Sequence, residues 1–422
     1  MEIVKKQPSE KEIYIWNITG SMANAMFSVV ALMFVTRVLS NDKTDIFSIA
    51  WSISQLMATI GTYQIRTLQA TDVKERFGFK QYFSFRILTI VVMMLCSVAY
   101  VMVKHYEVYK SVIVIIVCAY RAVESLTDVY EGWLQQKERL DLVGKAISYR
   151  IFLTVIACGI SLILTHSLMA FSVMLLLSGI FGLFFWDIRY YMTLWKTENT
   201  QISCDEKSWL TQLFVAGTPL FINAFLMMNI TNTPKMEIDS AIMDKLMISG
   251  SQTIFNILFM PASVLTLVYI VFRPLLTKMA IEWMNGHKRK FIIIIGKIMG
   301  CLAGIGVIVV IASYILGIPV LSILYALDLS KYKTELLIII VGGCFCTFSY
   351  VLDNALVVIR KQYLLVCAYG VSWIYVKIFA PFAVVKWNLR GAALAYMTSM
   401  IIFFVATLVI FIVCMERERK HE

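Results

Sequence analysis

Four ionisable residues, Arg121, Glu124, Asp128 and Glu131, interrupt one apolar stretch of this sequence at a spacing of i, i+3, i+7 and i+10. That spacing places all four on one face of a helix. A charge at membrane depth costs about 2.5–3.5 kcal/mol on insertion scales. The face must therefore look at protein or water and never at lipid. Two chemistries fit it. One is a self-neutralising ladder, Arg121 against Glu124. The other is one wall of a water-filled cavity, with Glu124 and Asp128 as candidate ion-coupling acids and Asp353, late in another apolar run, as a third. Further cations punctuate the apolar runs at Arg37, Arg66, Lys235, Arg273 and Lys377. Each can be read as an interfacial anchor whose stem lies along apolar surface. Lys377 fits that reading worst, because it lies about 14 residues into its run, roughly 20 Å of helical rise. A ring of such cations would suit an anionic cargo, and an Arg fork matches phosphate better than a Lys does.

The elements that must carry these residues follow from composition. The chain has 422 residues, of which 59% are hydrophobic and only 15% charged; its mean hydropathy is +0.77. Soluble domains are nearer 45–50% apolar and about 25% charged. At roughly 20 apolar residues per crossing, the content suffices for about twelve transmembrane helices. A soluble enzyme, a disordered chain and a singly anchored protein are excluded. The expected class is an all-α polytopic membrane protein. Its spans fall at about 13–38, 44–66, 82–103, 109–133, 146–165, 168–190, 209–230, 250–272, 291–313, 335–358, 363–384 and 392–414. With both termini in the cytoplasm, most of the 38 Lys and Arg fall in inner segments, which the positive-inside rule favours. The polar stretch 195–208 then reads as a cytoplasmic linker between two six-helix lobes, 1–194 and 209–422. A faint repeat supports the halves: Arg66 ends the second span and Arg273 the eighth, each followed by Leu and Thr. Two-lobed transporters leave such traces and bind their substrate between the repeats. Pro219 and Pro261 are expected to bend spans seven and eight.

The net charge of +11 reads as inner-membrane bias rather than nucleic-acid binding, because the basic residues sit in short loops. The nine cysteines form no visible disulfide framework, since eight lie in apolar segments and Cys204 in the linker. No metal site, cofactor fingerprint or phosphate-binding glycine loop is present, so no cofactor is expected and no catalytic residue is assigned. Segment 73–86 interleaves Lys and Arg with Phe and Tyr. It reads as a basic, aromatic interfacial stretch on the inner leaflet, in contact with membrane lipids.

Spans seven and eight carry a resemblance. The run from Thr218 to Asn229, then Asn232-Thr-Pro-Lys235-Met-Glu-Ile-Asp239, then Phe255 to Pro261 and Phe272-Arg273-Pro274 to Lys278, resembles the polysaccharide transporters related to O-antigen (Wzx-type) flippases. Arg66-x-x-Gln69-x-Thr-Asp72 in the first half matches the same pattern. These belong to the multidrug/oligosaccharidyl-lipid/polysaccharide (MOP) superfamily, which also holds the MATE transporters. The resemblance implies two six-helix lobes around a cationic cavity. It implies a flippase, working by alternating access, that moves a polyprenyl-diphosphate-linked oligosaccharide repeat unit from the inner to the outer leaflet of a bacterial plasma membrane for capsule or O-antigen synthesis. Polysaccharide polymerase and glycosyltransferases would be its partners. Arg66, Lys235 and Arg273 fall on recurrent motif positions and would bind substrate, with Arg37, Arg121 and Lys377 completing the cationic set. Asn232-Thr-Pro-Lys235 has Thr where a small apolar residue is common, and Met236 replaces a usual aromatic. The alternative within the superfamily is a multidrug-type cation antiporter, which would prefer an acidic, aromatic cavity. The short outer loops argue against a membrane glycosyltransferase or polymerase.

Overall fold

A computed structural model describes residues 7–72, 76–195, 208–270 and 273–420. They are almost entirely helical. In chain order the helices are α1 (Glu10–Val38), α2 (Asn41–Thr62), α3 (Ile65–Thr71), α4 (Phe79–Val103), α5 (Val108–Gln136), α6 (Leu140–Thr165) and α7 (Leu168–Gly182), which runs through a π-helical turn (Leu183–Ile188) into α8 (Arg189–Trp195). Then come α9 (Trp209–Met243), α10 (Ser251–Ile270), α11 (Arg273–Met284) and α12 (Lys288–Ala312), which continues through a second π-turn (Ser313–Gly317) into α13 (Ile318–Tyr325). The last two are α14 (Lys333–Val358) and α15 (Leu365–Lys420).

Among the described residues, eight helical runs are long and apolar enough to cross a membrane. One of them is α15, which breaks at Asn388 (φ 52°, ψ −135°) and so holds two crossings. Together with α2 and α5, which are more polar, and the 20-residue α10, these account for the twelve expected spans. The loop expected between the last two spans shrinks to that single residue, and a Cβ on Gly391 would lie 1.8 Å from the Ala383 carbonyl oxygen. Span seven also differs from its expected end at 230: α9 runs unbroken to Met243. Lys235 and Asp239 therefore lie inside a membrane helix rather than after it. Pro261 lies within α10, which continues on both sides of it.

The chain divides into two compact units, Met1–Phe225 and Leu226–Glu422. The expected linker 195–208 lies mostly outside the described residues. In the first unit α5 is the hub, packed on α2, α3, α4 and α7. In the second the hub is α14, packed on α10, α12 and α15. Each hub is the fourth crossing of its half.

The longest helix–helix contact of the first unit, α1 on α6, depends on two glycines. A Cβ on Gly144 would lie 2.1 Å from the Trp16 carbonyl oxygen, and one on Gly20 would lie 2.9 Å from Gly144 Cα. Small residues allow this backbone approach, which drives helix association where hydrocarbon removes the hydrophobic effect. Lys145 of α6 closes one end of the seam on Glu12 at 2.7 Å. Gly144→Val is expected to cost about 2–3 kcal/mol through overpacking, read as a lowered melting temperature in detergent. Gly304→Ala on α12, where a Cβ meets nothing within 4 Å, is expected not to lower it.

Candidate functional site

The acidic face of α5 meets cations from three other helices. Asp128 bonds Arg86 of α4 at 2.7 Å and Arg66 of α3 at 3.0 Å. Arg66 also bonds Glu131 at 2.7 Å, Glu131 bonds Arg150 of α6 at 2.9 Å, and Arg150 bonds Asp187 of the π-turn at 2.8 Å. The result is a single alternating chain, Arg86–Asp128–Arg66–Glu131–Arg150–Asp187, with three positive and three negative groups. Arg86, Arg150, Glu131 and Asp187 are buried, while Arg66, in the middle of the chain, keeps 30% of its side chain exposed.

Local structure builds this chain. Tyr63 and Gln64 both adopt left-handed conformations (φ 43° and 54°), ending α2 and starting α3 in a new direction. That bend carries Arg66 off the second span, where the sequence placed it as a closing residue, and turns it toward α5. Tyr63 is clamped by a stacked Phe221 ring at 4.4 Å and a 2.9 Å hydrogen bond with Thr218. Gln69 donates to the Val129 carbonyl at 3.2 Å, and Gly132 leaves it room: a Cβ there would lie 2.4 Å from Gln69 Oε1. Gly182 does the same for the Arg150 stem, at 2.6 Å. The π-turn widens the helix and delivers Asp187 inward, as such bulges do at polar sites. Arg86 also donates to the Gly61 carbonyl at 2.8 Å. The expected interfacial stretch 73–86 is thus corrected at its C-terminal end. Tyr82, Phe85 and Arg86 are buried, the first two in a cluster with Ile65 and Leu213, because Asp128 and a peptide carbonyl draw the guanidinium inward. Residues 73–75 of the stretch lie outside the described ones.

The remaining candidates separate. Arg121 donates to Glu124 and lies 4.2 Å over the Trp51 ring; Glu124 also accepts from Tyr120 at 2.9 Å. Arg37 near the end of α1 and Lys377 on α15 are exposed, so the depth expected of Lys377 along its span is not burial within the unit. Arg273 opens α11, and its side chain lies outside the described ones. Asp353 accepts from Tyr369 at 2.9 Å and, among the described residues, meets no cation.

Lys235 stands apart. It is 7% exposed, and its Nζ lies 4.3 Å from the centre of the Phe259 ring. Among the described residues it has no carboxylate partner. The contact joins α9 to α10. Asn232 Oδ1 and both amide atoms of Gln252 are buried without hydrogen-bond partners. Groups of this kind need an explanation in a native structure.

Sequence reasoning passed over Arg86, Arg150 and Asp187 as functional candidates. Asp187 was detectable, since it is a lone acid in an apolar run and carries the insertion penalty by itself. The partners of Arg86 and Arg150 lie on other helices, and no spacing rule reaches them.

No protein-family model matches the sequence, and no curated protein does. Solved structures share its fold. A multidrug resistance MATE family transporter of the MOP superfamily in an inward-facing conformation aligns with a TM-score of 0.65 at 12% identity, over 95% of this chain and 98% of that one. The Vibrio cholerae MATE transporter VcmN in its bent form aligns at 0.59 and 12%, over 97% of each chain. A MOP superfamily transporter from Pyrococcus furiosus, described as having a binding pocket of reverse polarity that suggests a different function, aligns at 0.55 and 13%, over 96% of this chain and 94% of that one. The chain therefore has the MATE/MOP fold.

Because the alternating chain is buried and balanced, removing one member strands another. Asp187→Ala is expected to destabilise the protein by about 3–5 kcal/mol, measured by thermal or denaturant unfolding in detergent. The double variant Arg150→Met/Asp187→Leu is expected to cost less than Asp187→Ala alone.

Proposed function

We propose that this chain is a MOP-fold transporter of an anionic lipid-linked cargo. The reading is a flippase that carries a polyprenyl-diphosphate-linked oligosaccharide from the inner to the outer leaflet of a bacterial plasma membrane, for capsule, O-antigen or a related surface polymer. The observation that carries it is Lys235, a buried ammonium with no counter-charge among the described residues, one helical turn from Asn232, whose Oδ1 is buried without a hydrogen-bond partner. Lone charge in a membrane helix is a substrate-site signature, and the sign selects an anion. The buried arginines of the first unit are already satisfied by carboxylates, so they serve it less well.

Transport fits the fold. MATE relatives of the same architecture are described in both inward-facing and outward-facing conformations. The reverse-polarity transporter of Pyrococcus furiosus is described as departing in function within the fold, so the architecture by itself does not impose cationic drugs as cargo. In this reading the halves 1–194 and 209–422 are the alternating lobes, both termini are cytoplasmic, and Asp353 is the acid for ion coupling because it meets a hydroxyl rather than a cation. An inside-negative membrane favours the direction, since each negative charge moving outward gains about 2.3 kcal/mol per 100 mV.

Lys235→Ala is expected to lower flipping of a fluorescent polyprenyl-diphosphate oligosaccharide in proteoliposomes by roughly tenfold or more, the worth of one charge-assisted hydrogen bond. Lys235→Arg is expected to retain most of it, with both variants folding normally. Undiminished flipping by Lys235→Ala would remove the proposal's main support. Efflux of cationic drugs by the same proteoliposomes would favour the antiporter instead.

A further inference from the structure

The second unit holds a cavity of about 330 Å³ at one end of its helices, where the turn after α9, the turn before α14 and the Asn388 break come together. Glu335 and Arg390 both line it. Among the described residues they pair neither with each other nor with another charged group. Glu335 belongs to the first turn of α14, and its Oε2 is buried without a hydrogen-bond partner. A buried acceptor of this kind calls for a donor. Ser251, Tyr332 and Trp387 add polar and aromatic lining. The rim is different: Leu246 and Ile248 also line the cavity, and they are 56% and 72% exposed. Asn388, in a backbone region that L-residues rarely adopt, forms part of the wall. Strain of this sort persists where surrounding structure holds it, and it concentrates at ligand sites.

We propose that this cavity binds the head group of a zwitterionic phospholipid with a primary ammonium, phosphatidylethanolamine in type. The ammonium donates to Glu335, the phosphodiester is held by the Arg390 fork, and the acyl chains leave across Leu246 and Ile248. A cavity with one fixed charge of each sign selects against a purely anionic or purely cationic ligand. The apolar rim selects a lipid over a soluble phosphoethanolamine. Trp387, a lining residue that is 39% exposed, suits the interface, where an apolar ring with a polar edge settles. On the topology argued from the basic residues this is the outer-leaflet end, so the site reads the leaflet that receives cargo. The proposal concerns a lipid of the surrounding bilayer and stands independently of the cargo assigned above.

The test is native mass spectrometry of the full-length protein, delipidated and titrated with phosphatidylethanolamine, its N-trimethylated analogue phosphatidylcholine, phosphatidylglycerol, and soluble phosphoethanolamine. Wild type is expected to retain phosphatidylethanolamine about tenfold more strongly than the other three, because a quaternary ammonium cannot donate a hydrogen bond to Glu335 and phosphatidylglycerol offers it no cation. Glu335→Gln is expected to erase the preference over phosphatidylcholine, and Arg390→Gln to weaken both lipids. Lys235→Ala is expected to leave lipid retention unchanged, which separates this site from cargo binding. Equal retention of all lipids by wild type overturns the proposal, as does an unaltered preference in Glu335→Gln. Stronger binding of soluble phosphoethanolamine than of the lipid overturns the lipid assignment.

Discussion

A charge inside a membrane protein must be compensated, solvated or used, because hydrocarbon offers it nothing. The first unit is organised by compensation. Three guanidinium groups and three carboxylates alternate in one chain, and every link joins different structural elements: α4 to α5, α5 to α3, α5 to α6, and α6 to the π-turn after α7. Such a chain is a poor source of net stability, since desolvation offsets much of the Coulomb gain. It is a strong source of register, since sliding any one helix by a turn would strand a buried charge.

The second unit obeys the same constraint differently. Its hub α14 has glycines and cysteines where α5 has acids, and it packs by close approach. A Cβ on Gly342 would lie 2.8 Å from the Tyr396 ring, and one on Gly343 would lie 3.1 Å from Ala262 Cβ. Lys235 and Asp353 stand out there as ionisable groups with no oppositely charged partner among the described residues. The two units therefore share a hub position but not a chemistry. One is rigidified by matched charge, and the other is left with groups that await an opposite charge, a proton or a ligand.

This division separates fold from function. Backbone likeness at 12% identity reaches 0.65 in TM-score, because twelve amphipathic rods with short turns have few ways to satisfy their backbones in a bilayer. Which ions or lipids the rods handle depends on a handful of side chains that backbone packing barely constrains. The sign and isolation of Lys235 accordingly carry more about cargo than the architecture does.

Hydrophobic runs of span length, the loops between them and the basic bias were legible residue by residue, because lipid imposes a length and a polarity on each segment independently. The acidic face of α5 was legible too, because helical periodicity alone aligns Arg121, Glu124, Asp128 and Glu131. Tertiary structure decided which of two readings each cation takes. Arg66 was a span-closing residue until the Tyr63–Gln64 bend turned it onto Asp128 and Glu131, and Arg86 was part of an interfacial stretch until Gly61 and Asp128 buried it. Lys235 lay outside a span until α9 continued past it. Pairing energy belongs to two groups at once and depends on a distance of a few ångströms, whereas sequence specifies each group singly; the identity of the partners exists only once the helices are packed.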